Sequence, residues 1–294
     1  MVRKVSEILK EKERTYSFEL FPPRTEKGMK TLFETTEELG KLEPDWVSVT
    51  YGAGGSTSKS TLEIIKKIQE SYGLNCMHHL TLVGQKADEL KDIVKEILDA
   101  GVVNILALRG DPPPDMGDKF VKVDGGLEYC YELIAMIRDL GGDSVSIAVA
   151  GFPEGHVDCP NKELDSKYLK LKCEHGGESV ITQFFFENEI YSEYLNRVRE
   201  AGVDVPILPG ILPIIDYKRL LKFCDTCGAY ICDEVHKIFK PLQDDEAATL
   251  EHGTRFAIDQ CEDLIKRGAP GLHFYCLNKV EPIKTIWQAV KKEM

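Results

Sequence analysis

The chain has 294 residues and carries 49 acidic side chains against 37 lysines and arginines, so its formal net charge is −12 at pH 7. A surface of this sign repels phosphate groups, which argues against nucleic acid and anionic membranes as partners. No run approaches the roughly 20 apolar residues of a membrane span, and the N-terminus lacks the apolar core of a signal peptide, so we expect a cytoplasmic protein.

Eight short apolar runs recur along the chain and predict eight β-strands, because they are rich in Val, Ile, Leu and Phe and are bounded by Gly, Pro or Asp. The runs cover residues 16–21, 46–51, 75–81, 104–110, 146–152, 179–186, 206–213 and 271–277. Continuous apolar runs of this kind are typical of strands that are buried on both faces of a parallel sheet.

Stretches with helical spacing separate the runs, as in the series Leu90, Val94 and Ile97. The alternation predicts an α/β fold, a (β/α)8 TIM barrel, whose usual size is about 250 residues. We expect a single domain over residues 1–294, with residues 1–14 as an N-terminal helical extension. An open, doubly wound parallel sheet is the competing fold.

Most of the predicted strands end in a polar residue that can take part in chemistry. These residues are Glu19, Thr50, His79, Asp111, His156, Gln183 and Asn278. In a barrel the carboxyl ends of the strands form one mouth, which is where active sites of this fold lie. The sequence therefore predicts an enzyme with its site at that mouth.

Glu19 is the strongest candidate for acid–base chemistry. Strand alternation places it on the same face as Ser17 and opposite Phe18 and Leu20, so its carboxyl group is expected to point into the barrel mouth. An apolar setting favours the protonated form of a carboxyl group, which suits a general acid near neutral pH. The alternative is an ion-paired structural glutamate.

Two loops are candidates for ligand contact. After the fourth run, Arg109, Gly110 and Asp111 precede three prolines, so a ligand can approach the glycine backbone and bind the Asp111 carboxylate. A bland loop with an aspartate cap is the alternative. After the second run, residues 50–57 approximate the G-x-G-x-x-G fingerprint, but Thr57 stands at the third glycine position. A glycine-rich loop that admits a planar ligand is favoured over a Rossmann turn.

Polar residues of the third, fifth and sixth units extend the predicted site. Adjacent histidines, His78 and His79, must lie on opposite faces of one strand, which disfavours a shared metal. Asp165, Tyr168 and Lys172 follow at one-turn spacings and can hold a ribose and phosphates, although a solvated helix face is the alternative. Phe152 and His156 offer an aromatic surface, and Gln183 is an amide within an aromatic strand that needs a partner.

The chain has nine cysteines, an odd number that suits a reducing compartment. Cys224 and Cys227 form a Cys-x-x-Cys pair, and Cys232 and His236 can be drawn as further ligands of a zinc ion. Cys224 falls on the apolar face of a predicted helix, so packing is the plainer interpretation. We therefore expect no metal.

Taken in order, eight segments resemble the methylenetetrahydrofolate reductase family over residues 16–280. They read SFELFPPRT, VSVTYGAGG, HHLT, ALRGD, GFPEGH, VITQFFF, ILPGILP and LHFYCLN. The resemblance implies a barrel that carries FAD and reduces 5,10-methylenetetrahydrofolate to 5-methyltetrahydrofolate, with the electrons supplied by NADH or NADPH or by another donor.

The resemblance also implies roles for individual residues. Glu19 matches the general acid, Asp111 a carboxylate near the flavin and the pterin, Gln183 an amide that binds the pterin, and Thr50 a contact to the nicotinamide. Phe223, Arg219 and Lys279 fall at positions near the folate. The implied FAD positions are Tyr51, Ala53, His79, Leu108, Arg109, Gly110, Asp111, Tyr129, Cys130, Phe152, His156, Asp165, Tyr168 and Lys172.

The chain departs from the family at four of these positions or their neighbours. Tyr168 replaces a common Asn and Leu171 a common basic residue, which implies weaker FAD binding, while Arg219 replaces Gln and Lys279 replaces Arg. The family includes homo-oligomers and subunits paired with an iron–sulfur or zinc partner. A folate- and flavin-binding electron-relay subunit without nicotinamide activity of its own is therefore the alternative function.

Overall fold

The computed structural model describes residues 2–51, 58–111, 120–159 and 161–291, with the backbone alone for residues 58 and 59. Eight parallel strands pair in sequence order, and the last pairs with the first, so the sheet closes into a barrel. The strands are β1 Thr15–Leu20, β2 Trp46–Val49, β3 Cys76–Thr81, β4 Asn104–Leu108, β5 Ser146–Gly151, β6 Ser179–Phe184, β7 Ile207–Ile211 and β8 Gly271–Tyr275. The (β/α)8 barrel is confirmed, and the open sheet is wrong.

Helices surround the barrel and separate successive strands. They are α1 Val5–Glu11, α2 Glu26–Gly40, α3 Ser58–Tyr72, α4 Ala87–Asp99, α5 Cys130–Gly141, α6 Lys162–Glu174, α7 Asn188–Glu200, α8 Tyr217–Cys227, α9 Asp233–Phe239, α10 Glu246–Lys266 and α11 Ile283–Val290, with a 3-10 turn at Gly142–Ser144. Among the described residues, no helix combines the length and the apolar character needed to cross a membrane.

Several strands end one or two residues before the carboxyl ends of the predicted runs. The second run was expected to reach residue 51 and the sixth residue 186, whereas β2 ends at Val49 and β6 at Phe184. The extra residues are buried, which explains their apolar character, but they have left the strand ladder. Apolarity therefore marks burial at the mouth as well as strand structure.

The amino-terminal end of the barrel is closed by α1. Val5 joins an apolar layer inside the barrel with Trp46, Met77, Leu106, Ala148, Ile181 and Leu208. Two backbone N–H groups at the start of α1 donate to barrel side chains, Val5 to Asn104 Oδ1 at 2.7 Å and Ser6 to Ser146 Oγ at 3.0 Å. Because these donors have no partner within the helix, the barrel acts as its cap. Access is left to the opposite end.

We predict that Asn104→Ala destabilises the protein. Asn104 also donates to the carbonyls of Arg3 at 2.9 Å and Cys76 at 3.2 Å, so the change leaves several buried groups without partners. Each such group costs about 1–3 kcal/mol. Chemical denaturation measures the loss, with the exposed Asn196→Ala on α7 as a control expected to stay within about 0.5 kcal/mol. Equal stability of the two variants would contradict the capping role.

Candidate functional site

The carboxyl ends of the strands open into a cavity of about 1180 Å³. Its walls come from the ends of β1, β3, β4, β5, β6 and β8 and from the segments that follow them. Sites for single small ligands are typically about 300–1,000 Å³. This cavity therefore has room for an extended cofactor together with part of a second ligand.

Most of the predicted site residues meet in this cavity. Those that line it are Glu19, His79, Leu108, Arg109, Gly110, Asp111, Tyr129, Cys130, Phe152, His156, Asp165, Tyr168, Lys172, Gln183 and Phe223. They lie on eight different stretches of the chain, so the fold has brought them together. Their individual ligand roles stay predictions.

A smaller group of predicted residues lies away from the cavity wall. Thr50 is buried behind it, where its carbonyl accepts from the Thr61 hydroxyl at 3.2 Å, and the Tyr51 hydroxyl accepts from Gln85 at 3.1 Å. Arg219 and Lys279 are exposed outside the lining, although the Arg219 guanidinium stacks 5.0 Å from the Phe223 ring centre. Ala53, with the rest of residues 52–57, and the prolines after Asp111 fall outside the described residues.

Glu19 lies at the centre of the buried part of the cavity wall. Its Oε2 is 3.4 Å from Nε2 of His273 and 3.6 Å from Nε2 of His79, and its side chain is 7% exposed. Within the described ranges, neither lysine nor arginine forms an ion pair with it. The structural ion pair considered from the sequence therefore takes a different form, in which two imidazoles face one carboxyl oxygen.

The two adjacent histidines of β3 point to opposite sides, as alternation predicts. His79 reaches the cavity, while His78 packs against the ring of Tyr51 at 6.1 Å. Burial lowers the pKa of His79 to about 4, although the nearby Glu19 carboxylate acts in the opposite direction. His79 is therefore neutral near pH 7. Its position fits contact with a cofactor or with Glu19 rather than service in a fixed ion pair.

Two residues of β8, His273 and Tyr275, belong to the site and were missed from the sequence. His273 is fully buried, and Ser17 Oγ lies 2.7 Å from its Nδ1. Tyr275 lines the cavity and donates its hydroxyl to the Thr182 carbonyl at 2.8 Å. Alternation within β8 was the available signal, because both side chains fall on the face opposite Leu272 and Phe274.

Asn278 was among the polar strand-end residues, but it has a structural role here. Its amide donates to the Phe21 carbonyl at 2.6 Å and accepts from the Phe21 N–H at 2.9 Å. Both atoms of its side-chain amide are therefore occupied by one residue of the loop after β1. The contact holds Phe21, whose side chain is 46% exposed, at the rim of the cavity.

The exit from β4 places backbone and charge together at the mouth. Gly110 has φ of 87°, and a Cβ there would lie 2.7 Å from a methyl group of Val83, so only glycine fits. Arg109 pairs with Asp158 and stacks 4.9 Å from the Phe120 ring centre. The next carboxylate, that of Asp111, is exposed at the lip.

The adjoining part of the wall combines aromatic rings with a cation. The Tyr129 and Tyr168 rings stack with their centres 5.6 Å apart. The pKa of Tyr129 is raised to about 12, mainly by its hydrogen bond with Tyr168. Lys172 donates to the Ala150 carbonyl at 2.9 Å and lies 5.5 Å from the Phe152 ring centre. Burial raises the pKa of Asp165, and the charge of Lys172 opposes this shift. The wall offers stacking faces and one buried carboxyl group.

The half-buried side-chain amide of Gln183 has a protein partner at only one of its two ends, within the described residues. Its Oε1 accepts from the N–H of Phe184 at 3.1 Å, so the carbonyl end is held by backbone. In the part of the chain that the structure describes, no hydrogen bond is formed by its NH2 end. Because Gln183 lines the cavity, that end can donate to a ligand.

The cysteine cluster packs as a small apolar group. Cys224 is buried on α8 in a core with Tyr217, Leu220 and Phe239, and Nδ1 of His236 lies 2.6 Å from the Tyr217 hydroxyl. Over residues 2–51, 58–111, 120–159 and 161–291, no group of three His, Cys, Asp or Glu side chains is arranged to hold a metal ion. Packing is therefore the interpretation that the structure supports for Cys224.

The mouth of the barrel gathers an acid, an amide and stacked aromatic rings around a large cavity. This is the layout of a (β/α)8 enzyme. Residues 4–291 match the family model described as methylenetetrahydrofolate reductase, and the chain belongs to this family. Enzymes of the family use FAD, the cofactor that the resemblance implied.

Named relatives support the family at moderate identity. The chain is 36% identical to 5,10-methylenetetrahydrofolate reductase of Escherichia coli K12 over 265 residues, covering 90% of this chain and 86% of that protein. It is 36% identical to methylenetetrahydrofolate reductase (NADH) 1 of Arabidopsis thaliana over 287 residues, covering 95% of this chain but 48% of that protein. The chain thus spans about half the length of its plant relatives.

Solved structures share the fold at low identity. A Clostridium thermocellum protein that binds two copies of 5-methyl-5,6,7,8-tetrahydrofolic acid superposes with a TM-score of 0.67 at 15% identity, covering 98% of this chain and 97% of that one. Oxaloacetate acetylhydrolase superposes with a TM-score of 0.55 at 10% identity, covering 98% and 83%. These likenesses concern the fold alone.

We predict that Gly110→Ala costs more stability than Gly268→Ala. Both glycines have positive φ, 87° and 85°, so each alanine carries about 1–2 kcal/mol of left-handed strain. A Cβ at Gly268 meets no atom within 4 Å, whereas at Gly110 it meets Val83 and Thr81. Overpacking adds about 1–3 kcal/mol at Gly110, measurable by denaturation. Equal losses would show that Thr81 and Val83 yield freely.

We predict a pH dependence of stability from Glu154, in the loop that carries Phe152 and His156. Both of its carboxyl oxygens accept from the Tyr230 N–H, at 3.0 and 3.1 Å. Burial raises its pKa from 4.5 to about 7, against the opposing hydrogen bond from Tyr230 and the charge of Lys162, while Glu187 adds to the rise.

Because the folded protein holds this proton more tightly than the unfolded chain, the contribution of Glu154 to stability is present below about pH 4.5 and is lost as pH rises towards 7. Glu154→Gln should therefore gain stability relative to the parent protein as pH rises from 5 to 8. Denaturation midpoints at the two pH values measure the difference. If the denaturation midpoints of both proteins change equally between the two pH values, Glu154 is not a source of the pH dependence of stability.

Proposed function

We propose that this chain reduces 5,10-methylenetetrahydrofolate to 5-methyltetrahydrofolate, with FAD as its redox cofactor and NADH or NADPH as the hydride donor. The observation that carries the proposal is Glu19, a buried carboxyl group on the wall of the large cavity in a chain that belongs to this family. The names of the relatives, which include NADH-dependent reductases, support the same reaction.

The residues present fit an extended flavin nucleotide. The paired rings of Tyr129 and Tyr168 supply stacking faces for a planar base, and Gly110 lets a ring approach the backbone after β4. Arg109 and Lys172 are the cations of this wall, and the carboxyl group of Asp165 can accept from a ribose hydroxyl. When bound, FAD supplies the two-electron carrier between nicotinamide and folate.

Glu19 is proposed to give a proton to the folate when the one-carbon bridge opens. A general acid must reach the atom that it protonates, and both imidazole contacts of Glu19 fall on Oε2, which leaves Oε1 for the cavity. His79, at the end of β3, is proposed to contact both Glu19 and the cofactor. Glu19 and His79 are both buried, and reduced contact with water strengthens the interaction between them.

The remaining polar residues are proposed to orient the two substrates. Gln183 donates from its NH2 end to the pterin, and Asp111 accepts from it at the lip of the cavity. Phe223 flanks the ring of whichever substrate is bound, and the Arg219 guanidinium stacks on Phe223. Arg219 and the exposed Lys279 are proposed to bind the anionic tail. Lysine keeps the charge of the usual arginine but loses its bidentate geometry. Thr50 is proposed for the nicotinamide.

The first test is anaerobic spectroscopy of the purified protein with added FAD. We expect a flavin absorption band that is bleached by NADH or NADPH and restored by methylenetetrahydrofolate. Absence of flavin binding would overturn the cofactor assignment. A bound flavin that neither nicotinamide bleaches would favour the electron-relay subunit, and its oligomeric state would then be measured with and without an iron–sulfur or zinc partner.

The second test is Glu19→Gln. Loss of a general acid typically lowers the rate of the assisted step by about 10²–10⁴-fold, so folate reduction should fall by this factor. Reduction of the flavin by the nicotinamide needs no proton from Glu19 and should be retained. The exposed Glu193→Gln on α7 serves as control and should leave both half-reactions unchanged. Survival of both half-reactions in Glu19→Gln would make the assignment wrong.

A further inference from the structure

The environment of Glu19 is unusual for a buried acid that must lose a proton. The groups that face it are His79 from β3 and His273, Tyr275 and Cys276 from the region of β8. Tyr275 directs its hydroxyl to the Thr182 carbonyl, and burial raises the pKa of Tyr275 and of Cys276 well above their usual values. Both groups therefore stay neutral, and the Tyr275 hydroxyl proton is directed at Thr182.

Only the imidazoles remain, among the described residues, to stabilise the carboxylate after proton loss. Their Nε2 atoms lie 3.4 Å and 3.6 Å from the same oxygen, Oε2. A buried carboxylate without a donor is strongly disfavoured, so at least one Nε2 must carry a hydrogen towards it. Which ring does so depends on what holds its other nitrogen.

Ser17 is the partner of the other ring nitrogen of His273. The Ser17 hydroxyl lies 2.7 Å from Nδ1 of His273, and both residues are fully buried. If the hydroxyl donates to Nδ1, the ring proton is on Nε2 and points at Glu19, so both ring nitrogens of His273 are satisfied. The reverse tautomer leaves a lone pair of Nε2 facing the carboxylate, which is repulsive.

We infer that His273, oriented by Ser17, is a positioning residue that donates from Nε2 to Oε2 of Glu19. This hydrogen bond keeps Oε1 of Glu19 directed at the cavity. It also stabilises the carboxylate that forms when Glu19 has given up its proton. This inference rests on the proposed function only for the identity of the proton acceptor. The hydrogen-bonded chain Ser17–His273–Glu19 is a property of the protein without ligand.

Removal of the His273 donor should change the pH at which Glu19 loses its proton. His273→Phe keeps the bulk of a ring but has no N–H group, so Glu19 should stay protonated to a pH about one unit or more higher than in the parent protein. His273→Gln returns an amide N–H near the position of Nε2 and should bring titration back towards that of the parent protein. Ser17→Ala frees the tautomer and should give a smaller shift in the same direction.

The matched control is Ser48→Ala. Ser48 lies beside Glu19 on the neighbouring strand β2, is fully buried like Ser17, and has no hydrogen-bond partner among the described residues. Its removal takes the same hydroxyl group from the same depth without touching His273. It should leave the titration of Glu19 unchanged, while circular dichroism and thermal melting verify the fold of every variant.

The direct measurement is a pH titration of the Glu19 carboxyl signal by carbon-13 NMR of flavin-free protein, with Glu19→Gln used to assign the signal. An upward shift in His273→Phe that His273→Gln reverses supports the inference. Identical titration in the parent protein and in folded His273→Phe overturns it. If His273→Phe does not fold, Ser17→Ala decides, and titration equal to that of Ser48→Ala overturns it.

The catalytic consequence is measured separately on the folate half-reaction as a function of pH. In His273→Phe its rate should fall roughly 10- to 100-fold through loss of orientation, with the profile displaced to higher pH, while flavin reduction is retained. If the parent protein reduces no folate at all, the proposed function fails, and the NMR titration still decides whether His273 holds Glu19. A titration that shifts without any change in the profile confines the contact to structure and overturns the positioning role.

Discussion

Closure of the barrel between β1 and β8 is the constraint on which the site depends. The two strands pair in parallel with Ser17 opposite His273 and Glu19 opposite Tyr275. Residues that are more than 250 positions apart are thereby placed in one hydrogen-bonded chain, with separations of 2.7 and 3.4 Å. The contact cannot form in any intermediate that lacks β8, so the acid and its support are completed together when the sheet closes.

Closure of the amino-terminal end of the barrel by α1 contributes to the burial of Glu19. Val5 of α1 packs into the lower apolar layer of the barrel, beneath the side chains of the site. Burial of this depth lowers the pKa of His79 to about 4 even beside a carboxyl group. A neutral imidazole serves better there than a lysine, because it can donate a hydrogen without bringing a second buried charge that would itself need compensation.

The order of strands, the barrel and the acid at the end of β1 were all accessible from the sequence, because each depends on short-range periodicity. The partners of Glu19 were not, since strand alternation in LHFY gives the face of His273 and Tyr275 but not which residue lies across the barrel. Asn278 was predicted as a site residue because it is polar and follows a strand. A polar residue at such a position can equally bind backbone, as Asn278 does at Phe21. Arg219 and Lys279 fall outside the cavity lining because reach depends on loop geometry, which no local pattern records.

The residues proposed for binding and those proposed for proton transfer lie on different parts of the cavity wall. Rings, cations and the close backbone approach at Gly110 lie on the side of β4, β5 and α6, where binding of a large planar group needs contact area. The proton-bearing groups lie on β1, β3 and β8, where both ring nitrogens of His273 and Oε2 of Glu19 have partners. Substitutions such as Tyr168 and Leu171 can therefore alter how tightly the first part of the wall holds its ligand without disturbing the second. The acid is held by side chains of β1 and β8, two strands that pair directly in the barrel.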